Sequence, residues 1–287
     1  MTVTQPESGD GAYCADQVRR FDNDRYLTAL FAAGPARDDL LALYAFNLEV
    51  ARIRELVREP MMGRIRLQWW RDCVAEIYAG GGRRHQVVQP LSGAVHRHGL
   101  PREHFERLLD AREADMEEGP PTDLGMLTGY ATATGASLGS LALHVLHPGV
   151  DEATQSAVRQ IWTAWALVGL LRAIPFHARA RRIYLPRDLL AAHGVDIADL
   201  LELRRPLQLP GVVRAVAVAA AQRLGEGRAL AQSFRRRTLP AALPAVLAAR
   251  YLRRLEAAGF DVFAPAVQLS PPARTWWLLL AYLRGRV

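Results

Sequence analysis

His96, His98 and His104 are close enough in sequence to suggest a metal site. Zinc needs a closed set of nitrogen, sulfur or oxygen ligands, and no cysteine or carboxylate completes this one, while Pro101 separates the third histidine from the others. A solvated helix end is the better reading. Asp38-Asp39 has the form of a carboxylate pair, but helical neighbours project about 100° apart, and carboxylates in a first turn complement the helix dipole. Glu117-Glu118, before Gly-Pro-Pro, reads as an exposed helix end. Cys14 and Cys73 stand alone, so they imply neither a disulfide framework nor a zinc site and fit a reducing compartment. The sequence contains neither a Gly-x-Ser-x-Gly elbow nor a dinucleotide fingerprint.

Arginine supplies all 36 basic residues, against 29 acidic ones, for a net charge of +7. The absence of lysine excludes a Walker A loop, a Schiff-base enzyme and the Ser-x-x-Lys acyl-enzymes. Arginines suit phosphates, carboxylates and anionic headgroups, but these are spread along the chain without zinc-finger spacing or an RNA-binding signature, so nucleic acid is not expected as a partner. The densest chemistry lies in Leu170–Pro186, "LLRAIPFHARARRIYLP", where Arg172, His177, Arg179, Arg181, Arg182 and Tyr184 follow an apolar run. That stretch is either the wall of a site or a helix end. Trp69-Trp70 is equally open, one ring free to enter the core while the other lines a cavity.

Helices must position these residues. Apolar positions three and four apart mark a helix over 37–57, and Pro60 starts another that stops at Gly80–Gly82. Further helices are expected at 101–117, 122–146, 151–173, 186–193, 208–236, 240–258 and 273–284. Strand alternation is absent, which predicts an all-α, single-domain bundle around a central apolar cavity, spanning 13–287 after a disordered tail over 1–12. For the last helix, with Trp276 and Trp277, core packing is the leading reading, ahead of a partner-binding face or an interfacial patch. No apolar run reaches the ~20 residues that span a bilayer, which points to a cytoplasmic protein with room for peripheral attachment to the inner membrane.

Taken in order, "ALYAFNLEVARIREL", "IRLQWWRD", "LLDAREADM", "YATATGASLGSLALHVL" and "LLRAIPFHARARRIYLP" resemble segments of the squalene/phytoene synthase family, the head-to-head prenyltransferases, from about Tyr26 to Tyr251. The resemblance implies the isoprenoid synthase-like fold. In the family's enzymes two aspartate-rich motifs hold magnesium on a prenyl diphosphate, a task for hard oxygen ligands. Here the first motif aligns with Ala51, Arg52 and Glu55, and the second with Ala173, Phe176 and His177. One carboxylate of six remains, beside Arg52 and Arg54, and Pro175 disfavours helix at Ile174.

The altered pattern resembles the family's non-catalytic branch, which includes a mitochondrial assembly factor for respiratory complex I. That likeness implies a pseudoenzyme without a cofactor, whose partner at the inner membrane is a complex I subunit or assembly intermediate. Two alternatives stay open. One is a magnesium-dependent head-to-head prenyltransferase using Glu55 and Asp115. The other is a metal-free binder of an isoprenoid or anionic lipid. Tyr44, Arg52, Glu55, Arg172, His177, Arg182 and Tyr184 are the candidate ligand-binding residues, with no catalytic residue and no metal ligand among them.

Overall fold

The computed structural model describes residues 9–57, 59–117, 119–231 and 234–287, and among them there are helices and turns but no strand. The first half contains α1 (Asp10–Phe21), α2 (Asn23–Ala29), α3 (Gly34–Ala51), α4 (Ile53–Leu56), α5 (Pro60–Tyr78), α6 (Val88–His98) and α7 (Arg102–Glu113). A 3₁₀ turn, Ala114–Met116, leads to α8 (Leu124–Ala131), a π-helical segment (Thr132–Ala136) and α9 (Ser137–Leu146). The second half contains α10 (Glu152–Arg172), α11 (Ile174–Arg179), α12 (Arg187–Ala192), α13 (Ile197–Leu201) and α14 (Leu209–Leu230). It closes with α15 (Leu239–Ala242), α16 (Pro244–Ala257), α17 (Pro265–Gln268) and α18 (Arg274–Arg284).

Local chemistry sets many of these boundaries. Side chains of Asp22, Asp123, Asp151 and Asp196 accept backbone N–H bonds at the starts of α2, α8, α10 and α13. Proline occupies the first turn of α3, α5, α11, α14 and α16, where its missing donor has no helical partner to lose. Pro175 therefore does not abolish helix after Arg172. The chain breaks at Ala173 and restarts as α11, with Pro175 in the opening turn.

One contiguous apolar core runs through the bundle, with α10 at its centre. Trp162 of α10 is fully buried, and its indole N–H donates to the Ala241 carbonyl at 2.8 Å. Neighbouring segments reach α10 through glycines. A Cβ at Gly135 would lie 2.5 Å from the Trp162 carbonyl oxygen, one at Gly139 would lie 2.4 Å from the Trp162 ring, and one at Gly227 would meet Ile161 at 2.9 Å. Backbone approach of this kind is open to glycine alone.

Several expectations change. The helix expected over 37–57 starts at Gly34 and breaks at Arg52, so Asp38-Asp39 lies a full turn inside it. Asp39 is 5 % exposed; it pairs with Arg97 and lies 2.7 Å from His98 Nε2, making it a buried, ion-paired carboxylate rather than a dipole complement. Residues 10–12 belong to α1, while residues 1–8 of the expected tail lie outside the described residues, as does Glu118 of the acidic pair. Trp70 packs edge-on to Phe46 at 5.2 Å, and Trp69 meets His85 edge-on at 5.3 Å; neither is on the wall of the cavity formed by α2, α3, α10 and α11. In α18, Trp277 is partly buried beneath the Arg250 guanidinium, but Trp276 is 72 % exposed. Core packing thus accounts for neither ring; on α18 the core takes Leu278 instead.

Candidate functional site

A cavity of about 530 Å³ opens where α2, α3, the π-helical segment, α10 and α11 converge. Thr134 and Gly135 bring the π-helical segment to its wall, Trp165 and Gly169 bring α10, and Asp24 and Arg25 bring α2. Two buried carboxylates organise the polar groups around it.

Asp24, in the first turn of α2, accepts a hydrogen bond from the Tyr251 hydroxyl at 2.6 Å and from Arg274 at 2.9 Å, with the Arg172 guanidinium 3.6 Å away. Arg172 also stacks over the Tyr251 ring at 3.7 Å. One carboxylate thereby ties α2 to α10, α16 and α18. Burial, followed by the Asp24 charge, pushes the Tyr251 hydroxyl up to about 12, so it remains a donor.

Asp115 is 2 % exposed and accepts from the hydroxyls of Tyr184 at 2.7 Å and Tyr130 at 2.8 Å and from Arg112 at 3.3 Å. Burial raises both tyrosines above their ordinary values. It works against the Arg112 charge too, but Tyr130, Asp115 and Tyr184 more than compensate and hold that guanidinium protonated. Arg182 closes the network from outside by donating to the backbone carbonyls of Ala114 and Glu117. Its neighbour Arg181 adopts φ 54, the left-handed turn that ends α11.

His177 stands between this network and the cavity. Its ring lies 4.7 Å from that of Tyr184, and its Nδ1 is shut away from solvent without a protein partner. Burial lowers its pKa to about 4, with Arg112 and Arg182 adding to the effect and Asp115 opposing it. The unfolded chain takes up this proton near the ordinary histidine value of about 6.5, whereas the folded chain does not until about pH 4. Stability is therefore expected to fall as pH drops from about 6.5 towards 4, by no more than about 1.4 kcal/mol per pH unit from this group. Urea unfolding of His177→Gln across that window should show a flatter dependence than the parent.

The motif positions have distinct fates. Ala51, Ala173 and His177 face the cavity, while Phe176 turns outward at 48 % exposure. Arg52 and Glu55 pair with each other at 3.7 Å away from the cavity wall, and Arg52 stacks over Phe21 at 4.2 Å. Burial raises the Glu55 pKa, and Arg52 and Arg112 partly offset this. The carboxylates that line the wall are Asp22, which caps α2 and pairs with Arg25, and Asp24, which is already bound to two guanidiniums. Magnesium demands several unencumbered oxygen donors, so this set does not fit a magnesium cluster. No group of three or more His, Cys, Asp or Glu side chains among the described residues is arranged to hold a metal ion.

Of the seven residues singled out from sequence, Arg172 and His177 reach the cavity. Tyr184 and Arg182 stand behind its wall in the Asp115 network. Tyr44 is buried in the core, its ring 6.0 Å from that of Trp162. Sequence reasoning overlooked Asp24, Arg112, Tyr130, Tyr251 and Arg274 as one constellation. They lie on five different elements; Arg112 and Tyr130 fall in the family-like segments "LLDAREADM" and "YATATGASLGSLALHVL", while Asp24 was signalled only by a polar "FDNDR" stretch and Tyr251 and Arg274 by nothing local.

The squalene/phytoene synthase sequence profile matches residues 18–273. Complex I assembly factor 6 of NADH dehydrogenase (ubiquinone) from Bos taurus is 33% identical over 262 residues, covering 91% of this chain and 78% of that protein. Its Homo sapiens counterpart is 31% identical over 267 residues, covering 91% and 80%. Presqualene diphosphate synthase from Rhodopseudomonas palustris is 27% identical over 180 residues, covering 62% and 63%. A dehydrosqualene synthase crystal structure superposes with a TM-score of 0.81 at 18% identity, covering 96% of both chains. The cavity wall carries Arg20, Asp22, Asp24, Arg25, Arg172 and Arg274 rather than being the apolar wall expected from sequence, but with the helical bundle and a profile match over most of its length, the chain belongs to the squalene/phytoene synthase family.

Proposed function

We propose that the protein is a non-catalytic member of its family that supports assembly of a membrane-associated respiratory complex I module, and that its partner is a complex I subunit or assembly intermediate. The observation carrying this reading is the chemistry of the cavity wall. Three of the six metal-motif positions face the cavity, as Ala51, Ala173 and His177, and none offers a carboxylate. Similarity to complex I assembly factors over 91% of the chain agrees with a role through protein contacts. The reading needs no cofactor and no magnesium. It places the protein in the cytoplasm, at the inner face of an energy-transducing membrane. No helix among the described residues is long and apolar enough to cross one.

A prenyltransferase acting through Glu55 and Asp115 would need both carboxylates free to ligate the magnesium that holds the diphosphate. Glu55 instead pairs with Arg52, and Asp115 is enclosed by two tyrosines and Arg112. Affinity capture of the tagged chain from its native membranes tests the reading, with complex I subunits expected among the retained proteins. Product formation from farnesyl diphosphate and magnesium, abolished by Glu55→Gln, would overturn it. The cavity gives specific support to one second reading, a metal-free lipid or isoprenoid site, because Arg20, Arg25, Arg172 and Arg274 line a space that also presents Phe21 and Trp165.

A further inference from the structure

The last helix is anchored on one face and bare on the other. Leu278 is fully buried, the Tyr282 ring lies 5.0 Å from Phe31, and Arg274 reaches inward to Asp24 and Asn23. On the opposite side Trp276, Leu280 and Leu283 are 72%, 46% and 60% exposed. Their spacing, four residues and then three, places them in one stripe along α18. A contiguous apolar stripe on a firmly held helix marks an interaction surface.

The charge around the stripe selects the occupant. From Val262 to Val287 the chain contains no Asp or Glu, and Arg284 and Arg286 are exposed just beyond Leu283. Arg236 lies over the Tyr282 ring at 5.7 Å, within the exposed run Arg235-Arg236-Arg237. An acidic group that acts on this run is Asp151, through Arg235. A tryptophan, two leucines and flanking arginines match a headgroup boundary, where the indole sits at the interface, the leucines enter the acyl edge and guanidiniums meet lipid phosphates.

We propose that α18 docks the protein on an anionic lipid bilayer, lying in its surface through Trp276, Leu280 and Leu283, with Arg284 and Arg286 on the headgroup phosphates. This surface goes beyond the assembly reading and stands without it. It also joins the cavity mechanically, because Arg274 at the start of α18 holds Asp24 on the cavity wall.

Flotation of the full chain with two kinds of vesicle tests the proposal, one of phosphatidylcholine alone and one of phosphatidylcholine and phosphatidylglycerol in equal parts. The protein should float with the mixed vesicles, fail to float with the neutral ones, and be stripped by raised salt. Trp276→Glu with Leu283→Glu should abolish flotation while leaving the melting temperature unchanged, since both side chains are exposed. Arg284→Gln with Arg286→Gln should weaken binding roughly 25-fold, from about fivefold per arginine. Absence of binding by the parent chain, equal binding to both vesicles, or undiminished flotation of both double variants would overturn it. So would photocrosslinking from position 276 in cells that captures a protein rather than lipid.

Discussion

Asp115→Ala is expected to destabilise the protein by about 3–5 kcal/mol, the range for removing one partner of a buried ion pair. The carboxylate is 2 % exposed and is the common acceptor for Arg112, Tyr130 and Tyr184. Its removal strands a buried guanidinium and two buried hydroxyls in one step. Asp115→Asn keeps the volume and one acceptor oxygen, so its cost should be smaller, about 1–3 kcal/mol. Urea unfolding at neutral pH distinguishes the two through the midpoint at constant slope. Equal and small losses for both variants would mean that Asp115 does not organise the wall behind His177.

Asp24→Ala should have the next largest effect, about 3 kcal/mol. It is held towards the lower end because its partners Arg172 and Arg274 are 21% and 19% exposed, so water compensates part of the lost pairing. The loss has a directional signature. Asp24 joins α2 to α10, α16 and α18, so its removal should release the start of α18. Amide hydrogen exchange should accelerate around Arg274–Trp277 more than in α14, which carries none of Asp24's partners. Uniform acceleration across both helices would indicate general destabilisation without a specific tether.

The helical class was legible because long apolar periodicities outlast local irregularity. α5 and α10 fall where the sequence places them, at Pro60–Tyr78 and Glu152–Arg172. Short helices were harder. α13 has five residues, and α1 buries only Cys14 and Val18, too little apolar surface to produce a strong period. The π-helical segment was also hidden, since no local spacing marks it; within it Gly135 lies against the Trp162 carbonyl, a residue 27 positions away.

Within the site, the missing carboxylates were readable from aligned motifs, because Ala51, Ala173 and His177 are identities. The replacement architecture was not. Tyr251 and Asp24 are 227 residues apart in sequence, and Arg274 and Asp24 are 250 apart, so no local spacing announces their bond. Trp276 was misjudged for a related reason. Hydrophobic character alone does not say which face of a helix its neighbours leave bare.

A pseudoenzyme that supports complex I assembly should be needed for that assembly but not for any prenyl transfer. Deletion of the gene in its native host, followed by measurement of assembled complex I on native gels and of NADH:ubiquinone oxidoreductase activity in membranes, tests this most directly. Assembly should fall, and should return in full with either the parent chain or Glu55→Gln, which removes the one carboxylate left at the metal-motif positions. Normal complex I in the deletion strain, or rescue by the parent chain but not by Glu55→Gln, would contradict the account.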